Sequence, residues 1–242
     1  LKKNRTVKGS LLSLQAGVAV NAVPQKAVME FSTLSEEEFK LAKDAVEKEC
    51  GVRLERSGNT VTVIGVSAHA STPHLGKNAG LAALNFAVKL PSLSAEDKEA
   101  FEAILKLFPY GVTDGSGLGI KMNDEESGDL TCTLDLFAVD NKEMSFTFDS
   151  RVPICGNKEN CEDVARKSSE AKGFVFETNG MIPPHHVPKD SDFIKALLSC
   201  YEKVTGEKGE CIAIGGGTYV HEVENGVAFG AILPDVDTHM HG

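Results

Sequence analysis

The chain has 242 residues, room for one large domain or two small ones, and its 41% apolar and 25% charged content is that of a globular protein rather than a disordered one. A formal net charge of -10, with no basic cluster beyond Lys2–Arg5, argues against nucleic acid as a partner. No apolar run approaches the ~20 residues of a membrane span, so no membrane partner is expected, and Leu1-Lys2-Lys3-Asn4-Arg5 opens no signal-peptide core or cleavage site.

Residues 12–20 alternate, with Leu12, Leu14, Ala16, Val18 and Val20 on one side and Ser13 and Gln15 on the other, the pattern of a half-buried strand that Asn21-Ala22-Val23-Pro24 ends. A second strand is predicted at Ala27–Ser32. Ser35 with Glu38 forms a capping box that opens a helix, with Phe39, Ala42, Val46 and Cys50 at helical spacing. A hairpin follows, Val52–Arg56 and Thr60–Ala68 around a Ser57-Gly58-Asn59 turn. Gly76–Leu90 and Ser94–Phe108 read as helices, and the Gly- and Asp-rich stretch Tyr110–Asp129 as a loop. Leu130, Cys132, Leu134 and Leu136 then alternate with Thr131, Thr133 and Asp135. After a turn at Asp140-Asn141, Met144, Phe146 and Phe148 alternate with Ser145, Thr147 and Asp149. A helix over Asn157–Lys172 and a strand over Gly173–Thr178 complete the pattern.

Two stretches thus share the order strand, strand, helix, strand, an α+β arrangement of ferredoxin-like, open-faced sandwich type. This predicts two sheets, each with helices on one face. The Pro-rich segment Ile182–Pro188 reads as a rigid linker between folded parts. Beyond it come a helix over Asp190–Thr205, with Phe193, Leu197, Cys200 and Val204 on one stripe, a short strand over Cys211–Ile214, the turn Gly215-Gly216-Gly217-Thr218, and a strand over Val227–Leu233. Six cysteines, none in a CxxC pair, read as scattered small hydrophobes suited to a reducing cytoplasm. Leu1 in place of Met, and a stop just after a His-rich run, are what a segment of a longer protein would show.

Several residues could carry chemistry. In Asp237-Thr238-His239-Met240-His241 the two histidines at i, i+2 share a face of an extended segment. A solvated tail is the plainer reading, since a catalytic zinc takes about three protein ligands and no second ligand set is evident. His69 ends an apolar strand among small residues, accessible to a ligand or simply a surface histidine. Arg151 lies on the polar face of its strand, where it either pairs with Asp149 or presents its two-pronged donors to a carboxylate. Asn21 is a turn residue or a donor, and the glycine run is a tight bend or an accessible row of amides.

Together and in order, seven segments resemble the PepV-like dipeptidases, dizinc metallopeptidases akin to carnosinase and succinyl-diaminopimelate desuccinylase. The segments are Asn21–Pro24, Gly65–Ser71, Leu118–Ile120, Ser127–Thr131, Asp149–Ile154, Gly216–Tyr219 and Asp237–His241. The resemblance implies a lid domain over residues 1–184, and over 185–242 a C-terminal piece of an α/β zinc-peptidase catalytic domain whose N-terminal part this chain lacks. It implies that His69 stabilises a tetrahedral oxyanion, that Asn21 and Arg151 hold the C-terminal carboxylate of a small peptide, and that Gly216, Gly217 and Thr218 line the substrate site. His241 or His239 would be a zinc ligand, with His241 the better match to the family's last one. The other ligands of a two-zinc centre and the general-base Glu cannot be placed here, so the expectation is a cytoplasmic dipeptidase whose present segment binds no zinc and is inactive alone. An N-acyl amino acid deacylase using the same site is one alternative. The other is a non-catalytic assembly module that self-associates through exposed sheet edges.

Overall fold

The computed structural model describes residues 1–230. A three-residue strand β1 (Lys2–Asn4) leads into β2 (Leu11–Ala16) and β3 (Lys26–Phe31), which pair antiparallel. The Ser35 capping box closes as the sequence predicts: the Ser35 hydroxyl accepts from the Glu38 amide and the Glu38 carboxylate accepts from the Ser35 amide. It opens α1 (Glu36–Cys50), whose buried stripe is Phe39, Ala42, Val46 and Cys50. Next come β4 (Arg53–Ser57), β5 (Thr60–Ile64), α2 (Ala79–Ala87) and α3 (Ala95–Leu107). A small hairpin, β6 (Asn123–Asp124) and β7 (Gly128–Asp129), punctuates the predicted loop, before the two long strands β8 (Thr131–Val139) and β9 (Glu143–Arg151). A π-helical turn over Lys158–Glu162 runs into α4 (Asp163–Glu170), and α5 (Asp192–Thr205) lies beyond the Pro-rich segment.

The two strand-strand-helix units do not build two sheets. They share one seven-stranded antiparallel sheet ordered β1-β9-β8-β2-β3-β5-β4. The halves meet where β2 pairs β8, with Leu14 opposite Val139 and Ala16 opposite Phe137. One sheet results because two half-units with a free strand edge each satisfy more backbone groups by pairing than by standing apart. Helix α2 lies across β2, β3, β5 and β8, flanked by α1 and α3. Its closest approach is at Gly80, where a Cβ would stand 2.2 Å from the Phe137 ring. The opposite face keeps half-buried or exposed side chains such as Gln15, Val28, Glu55 and Thr62, as an open-faced sandwich should.

Three further expectations are corrected. In the first strand a register shift between Leu11 and Ser13 puts Leu11 in the core with Leu14 and Ala16 and leaves Leu12 exposed, since a bulge switches the facing of the residues before it, while Val18 and Val20 lie exposed beyond the strand's end at Ala16. The strand expected at 173–178 is reduced to one bridge, Val175 to Lys2, because β1 offers only three residues to pair with. Residues 211–214 form no strand, nor do 227–230 of the strand expected over 227–233, whose last three residues lie outside the described ones; Ile212 and Ile214 lie exposed with no described strand beside them to complete a ladder. The stripe on α5 is likewise uncovered: Phe193, Cys200 and Val204 are exposed and only Ile194 is buried. Of the cysteines, Cys50, Cys132 and Cys161 are buried, and Cys155, Cys200 and Cys211 are exposed.

One polar residue inside this fold was not anticipated. Arg5, its side chain 1% exposed, spends every guanidinium N–H: two on the Asp97 carboxylate at 2.9 and 2.8 Å, and one each on the carbonyls of Leu11 (2.7 Å), Leu12 (3.0 Å) and Asp140 (2.6 Å). Removing one member of such a buried pair strands the other charge. Arg5→Ala should lower unfolding free energy by about 3–5 kcal/mol in a urea titration, against less than about 0.5 kcal/mol for Lys8→Ala, whose partner Glu96 is exposed.

Candidate functional site

After β5 the chain leaves the sheet, and the loop carrying His69 folds back onto the turn that follows β2. The Val23 amide donates to the Ala68 carbonyl at 2.8 Å and the Ala70 amide to the Asn21 carbonyl at 2.9 Å, an antiparallel bridge centred on Ala22 and His69. Asn21 and His69 thus become neighbours, both half-buried. The Thr131 hydroxyl at the start of β8 donates to the Ala70 carbonyl at 2.8 Å. Thr131 lies opposite Arg151 in the β8–β9 ladder. The last strand therefore presents Arg151 next to the His69 loop.

Arg151 is held on its own strand by Asp149, two residues back and on the same face. Nε donates to one carboxylate oxygen at 2.6 Å and Nη2 to the other at 2.9 Å, while Nη1 donates to the Gly215 carbonyl at 3.1 Å. Among the described residues this commits three of its five N–H groups and leaves one donor on each terminal nitrogen, a spacing suited to a carboxylate. The glycine run closes over the same place. A Cβ on Gly215 would stand 2.9 Å from the Ser71 Cβ and 3.7 Å from that of Arg151, so only a hydrogen fits there. Gly216 is next to Arg151, with Nη1 3.8 Å from where its Cβ would be. Gly217 and Thr218 are less engaged: nothing stands within 4 Å of a Cβ on Gly217, and Thr218 is exposed at the start of a short 3-10 turn, Tyr219–Glu222. His241 and the alternative His239 lie outside the described residues.

His69 Nδ1 stands 2.7 Å from the Ser71 hydroxyl and accepts from the Ser71 amide at 3.2 Å. Behind Arg151 sits Asp135, the extra residue of a bulge between Leu134 and Leu136. It is fully buried, and among the described residues neither carboxyl oxygen closes a hydrogen bond of good geometry. Burial above all, and then the negative charge of Asp149, push its pKa up to about 9, against weaker pulls from Thr133, the Asp149 amide and Arg151. At neutral pH Asp135 is therefore a neutral acid beside an ionised pair. Among the described residues no three His, Cys, Asp or Glu side chains stand together so as to hold a metal ion, so these residues do not by themselves fit zinc.

Sequence reasoning singled out Asn21, His69 and Arg151, and the structure brings them to one place with Gly215 and Gly216. It gave no role to Ser71, Thr131 or Asp135, and took Gly215 only as part of the glycine run. Ser71 and Asp149 carried a usable signal, since each lies at i±2 from a candidate on an extended segment and so on its face. Asp135 carried none, because the bulge that buries it follows from a pairing distant in the chain.

Residues 54–153 match the M20-type model described as "Peptidase dimerisation domain". Three proteins from Staphylococcus aureus strains USA300, N315 and MRSA252, each bearing the name "Putative dipeptidase", are 32% identical over 183 residues, which is 75% of this chain and 38% of each of theirs. The chain thus spans well under half the length of these curated relatives. Among the described residues no helix is long and apolar enough to cross a membrane.

The Asp135 carboxyl makes a pH prediction with a definite sign. Its folded pKa of about 9 lies above its ordinary 3.8. Between these values the folded state holds a proton that the unfolded state releases, so Asp135 lowers stability progressively as pH rises through that window. Asp135→Asn should flatten that slope in urea titrations run from pH 5 to 9, and at pH 8 should stabilise the fold by about 1–3 kcal/mol. An unchanged slope would mean that Asp135 ionises freely.

Proposed function

Starting from a chain that groups with the M20 peptidases through its dimerisation domain, we propose that residues 1–184 are the substrate-clamping lid of a zinc-dependent dipeptidase and 185–242 part of its catalytic domain. The observation that supports this best is the meeting of the His69 loop, the Arg151 end of β9 and the Gly215–Gly216 turn, three segments distant in sequence, around donors suited to a peptide's charged end. Two zinc ions are assigned to the complete enzyme on the family resemblance, with His241 as this chain's ligand. When bound, they would lower the pKa of a water and polarise the scissile carbonyl.

This chain's own residues do the rest. Arg151, held flat by Asp149, directs its two remaining N–H donors at the substrate's C-terminal carboxylate, and the Asn21 side-chain amide adds a further donor. His69 donates to the oxyanion as charge develops on it. Gly216, Gly217 and Thr218 line the substrate site, where missing or small side chains leave room for a peptide. A cytoplasmic setting fits a dipeptide substrate and the exposed free cysteines. Self-association would use the β4 edge, which among the described residues pairs only with β5, and whose Leu54 amide is taken by the Glu47 carboxylate.

The test uses the complete enzyme with free dipeptides, C-terminally amidated dipeptides and N-acyl amino acids. His69→Ala should lower kcat about 100-fold or more at unchanged zinc content. Arg151→Ala should raise KM for free dipeptides by about tenfold or more while barely changing that for amidated ones. Faster turnover of N-acyl amino acids would favour the deacylase, and a zinc-free, inactive complete chain would favour the assembly module. Sedimentation that finds a monomer at all concentrations would remove the edge-pairing proposal.

A further inference from the structure

Ser71 has no part in the reading above, yet both its hydroxyl and its backbone amide engage His69. Its hydroxyl stands 2.7 Å from Nδ1 and its backbone amide donates to the same nitrogen at 3.2 Å. The two groups differ in what they can do. A hydroxyl rotates and can give or accept, but a backbone N–H can only give. A proton on Nδ1 would point at that amide hydrogen, so Nδ1 is the lone-pair nitrogen and the neutral ring carries its proton on Nε2. The Ser71 hydroxyl then also donates to Nδ1.

Ser71 is itself held from outside the loop. The Ala70 carbonyl that precedes it is taken by the Thr131 hydroxyl at 2.8 Å. Gly215 lies against the Ser71 Cβ so closely that a methyl at 215 would come within 2.9 Å of it. The hydroxyl is thereby confined on the side facing the imidazole, with β8 beneath the loop and the glycine turn over it.

We propose that Ser71, through its backbone amide, is a positioning residue that fixes His69 as the neutral tautomer protonated on Nε2, with the Gly215 backbone packed against Ser71 to hold it there. This rests on the reading of His69 as an oxyanion donor, which it deepens: a donor histidine serves only if the proton sits on the nitrogen that faces the developing charge. The device also couples the two segments, since the turn that would line the substrate site is the same one that seats Ser71.

The experiment is long-range proton–nitrogen NMR of the 242-residue chain labelled with nitrogen-15 histidine, the His69 signals being assigned by their loss in His69→Gln. The wild type should show Nδ1 unprotonated and Nε2 protonated. Ser71→Ala keeps the amide and removes only a hydroxyl that can serve either tautomer, so Nε2 should stay protonated. Ser71→Pro removes the amide and should shift the tautomer ratio about fivefold towards Nδ1–H, the effect of one ordinary hydrogen bond. Gly215→Ala, which crowds Ser71, should shift the ratio in the same direction. A wild-type Nδ1–H tautomer, or a Ser71→Ala ring protonated on Nδ1, overturns the proposal. In the complete enzyme Ser71→Ala should keep kcat within about twofold, and Ser71→Pro should cost about fivefold in kcat with KM within about twofold. If instead His69→Ala leaves kcat unchanged there, the oxyanion reading fails while the NMR assignment stands, so the two failures are distinguishable.

Discussion

The seam between β2 and β8 is the constraint on which the rest of this structure depends, and Arg5 closes one end of it. Only three residues of each strand pair across the seam, so the ladder alone is a short joint between the two halves. Arg5 reaches over it: its terminal nitrogens hold the carbonyls of Leu11 and Leu12 on the β2 side and of Asp140 in the β8–β9 turn, and Asp97 at the start of α3 balances its charge. The Arg5 amide adds a bond to the Lys142 carbonyl at 2.7 Å. A guanidinium suits this place because it offers five fixed donors and one charge, and here the bonds equal the donors. Asp97 gains in turn from the positive end of α3, in whose first turn it sits.

From that seam the site follows by geometry. With β2 beside β8, the turn leaving β2 lands next to the start of the long hairpin, and the His69 loop, bridged to that turn, comes within reach of Thr131. Helix α2 fixes the bulge in β8 from the other side. Its cap Asn78 uses its side-chain oxygen for the Leu81 amide and its side-chain nitrogen for the Leu134 carbonyl at 2.8 Å. One residue therefore caps the helix and satisfies a carbonyl that the irregular ladder leaves over. Asp135 is buried behind Arg151 by the same irregularity.

Much of this was legible in the chain because it is local. The Ser35–Glu38 box and the four-residue stripe of α1 depend on spacings of three and four, and both appear as read. The β4–β5 and β8–β9 hairpins are neighbours in sequence and pair as expected. The unexpected features are long-range. The two units look alike in pattern, and nothing in either says that it will share a sheet with the other. Leu12 was assigned to the core because alternation assumes an unbroken register, and one bulge moved it to the surface. Arg5 read only as part of the basic opening Lys2–Arg5, whereas its charge partner lies far along the chain at Asp97 and one of its carbonyl acceptors at Asp140. In the candidate site, His69 and Arg151 were visible through the segments around them, but the contact of Gly215 with both Ser71 and Arg151 only through the fold.

The charge balance around Arg151 shows why those second contacts matter. Arg151 with Asp149 is a neutral pair, bidentate and mostly buried, with side chains 22% and 17% exposed. A further carboxylate can join such a pair only if the surroundings carry no net negative charge of their own, since like charges this close repel strongly at low effective dielectric. An ionised Asp135 would supply that repulsion. Its burial and the negative charge of Asp149 outweigh the weaker pulls of Thr133 and the Asp149 amide, and keep the proton on and the local charge at zero. On the proposed reading of Arg151, a neutral Asp135 leaves the two donors that are uncommitted among the described residues open to one incoming anion.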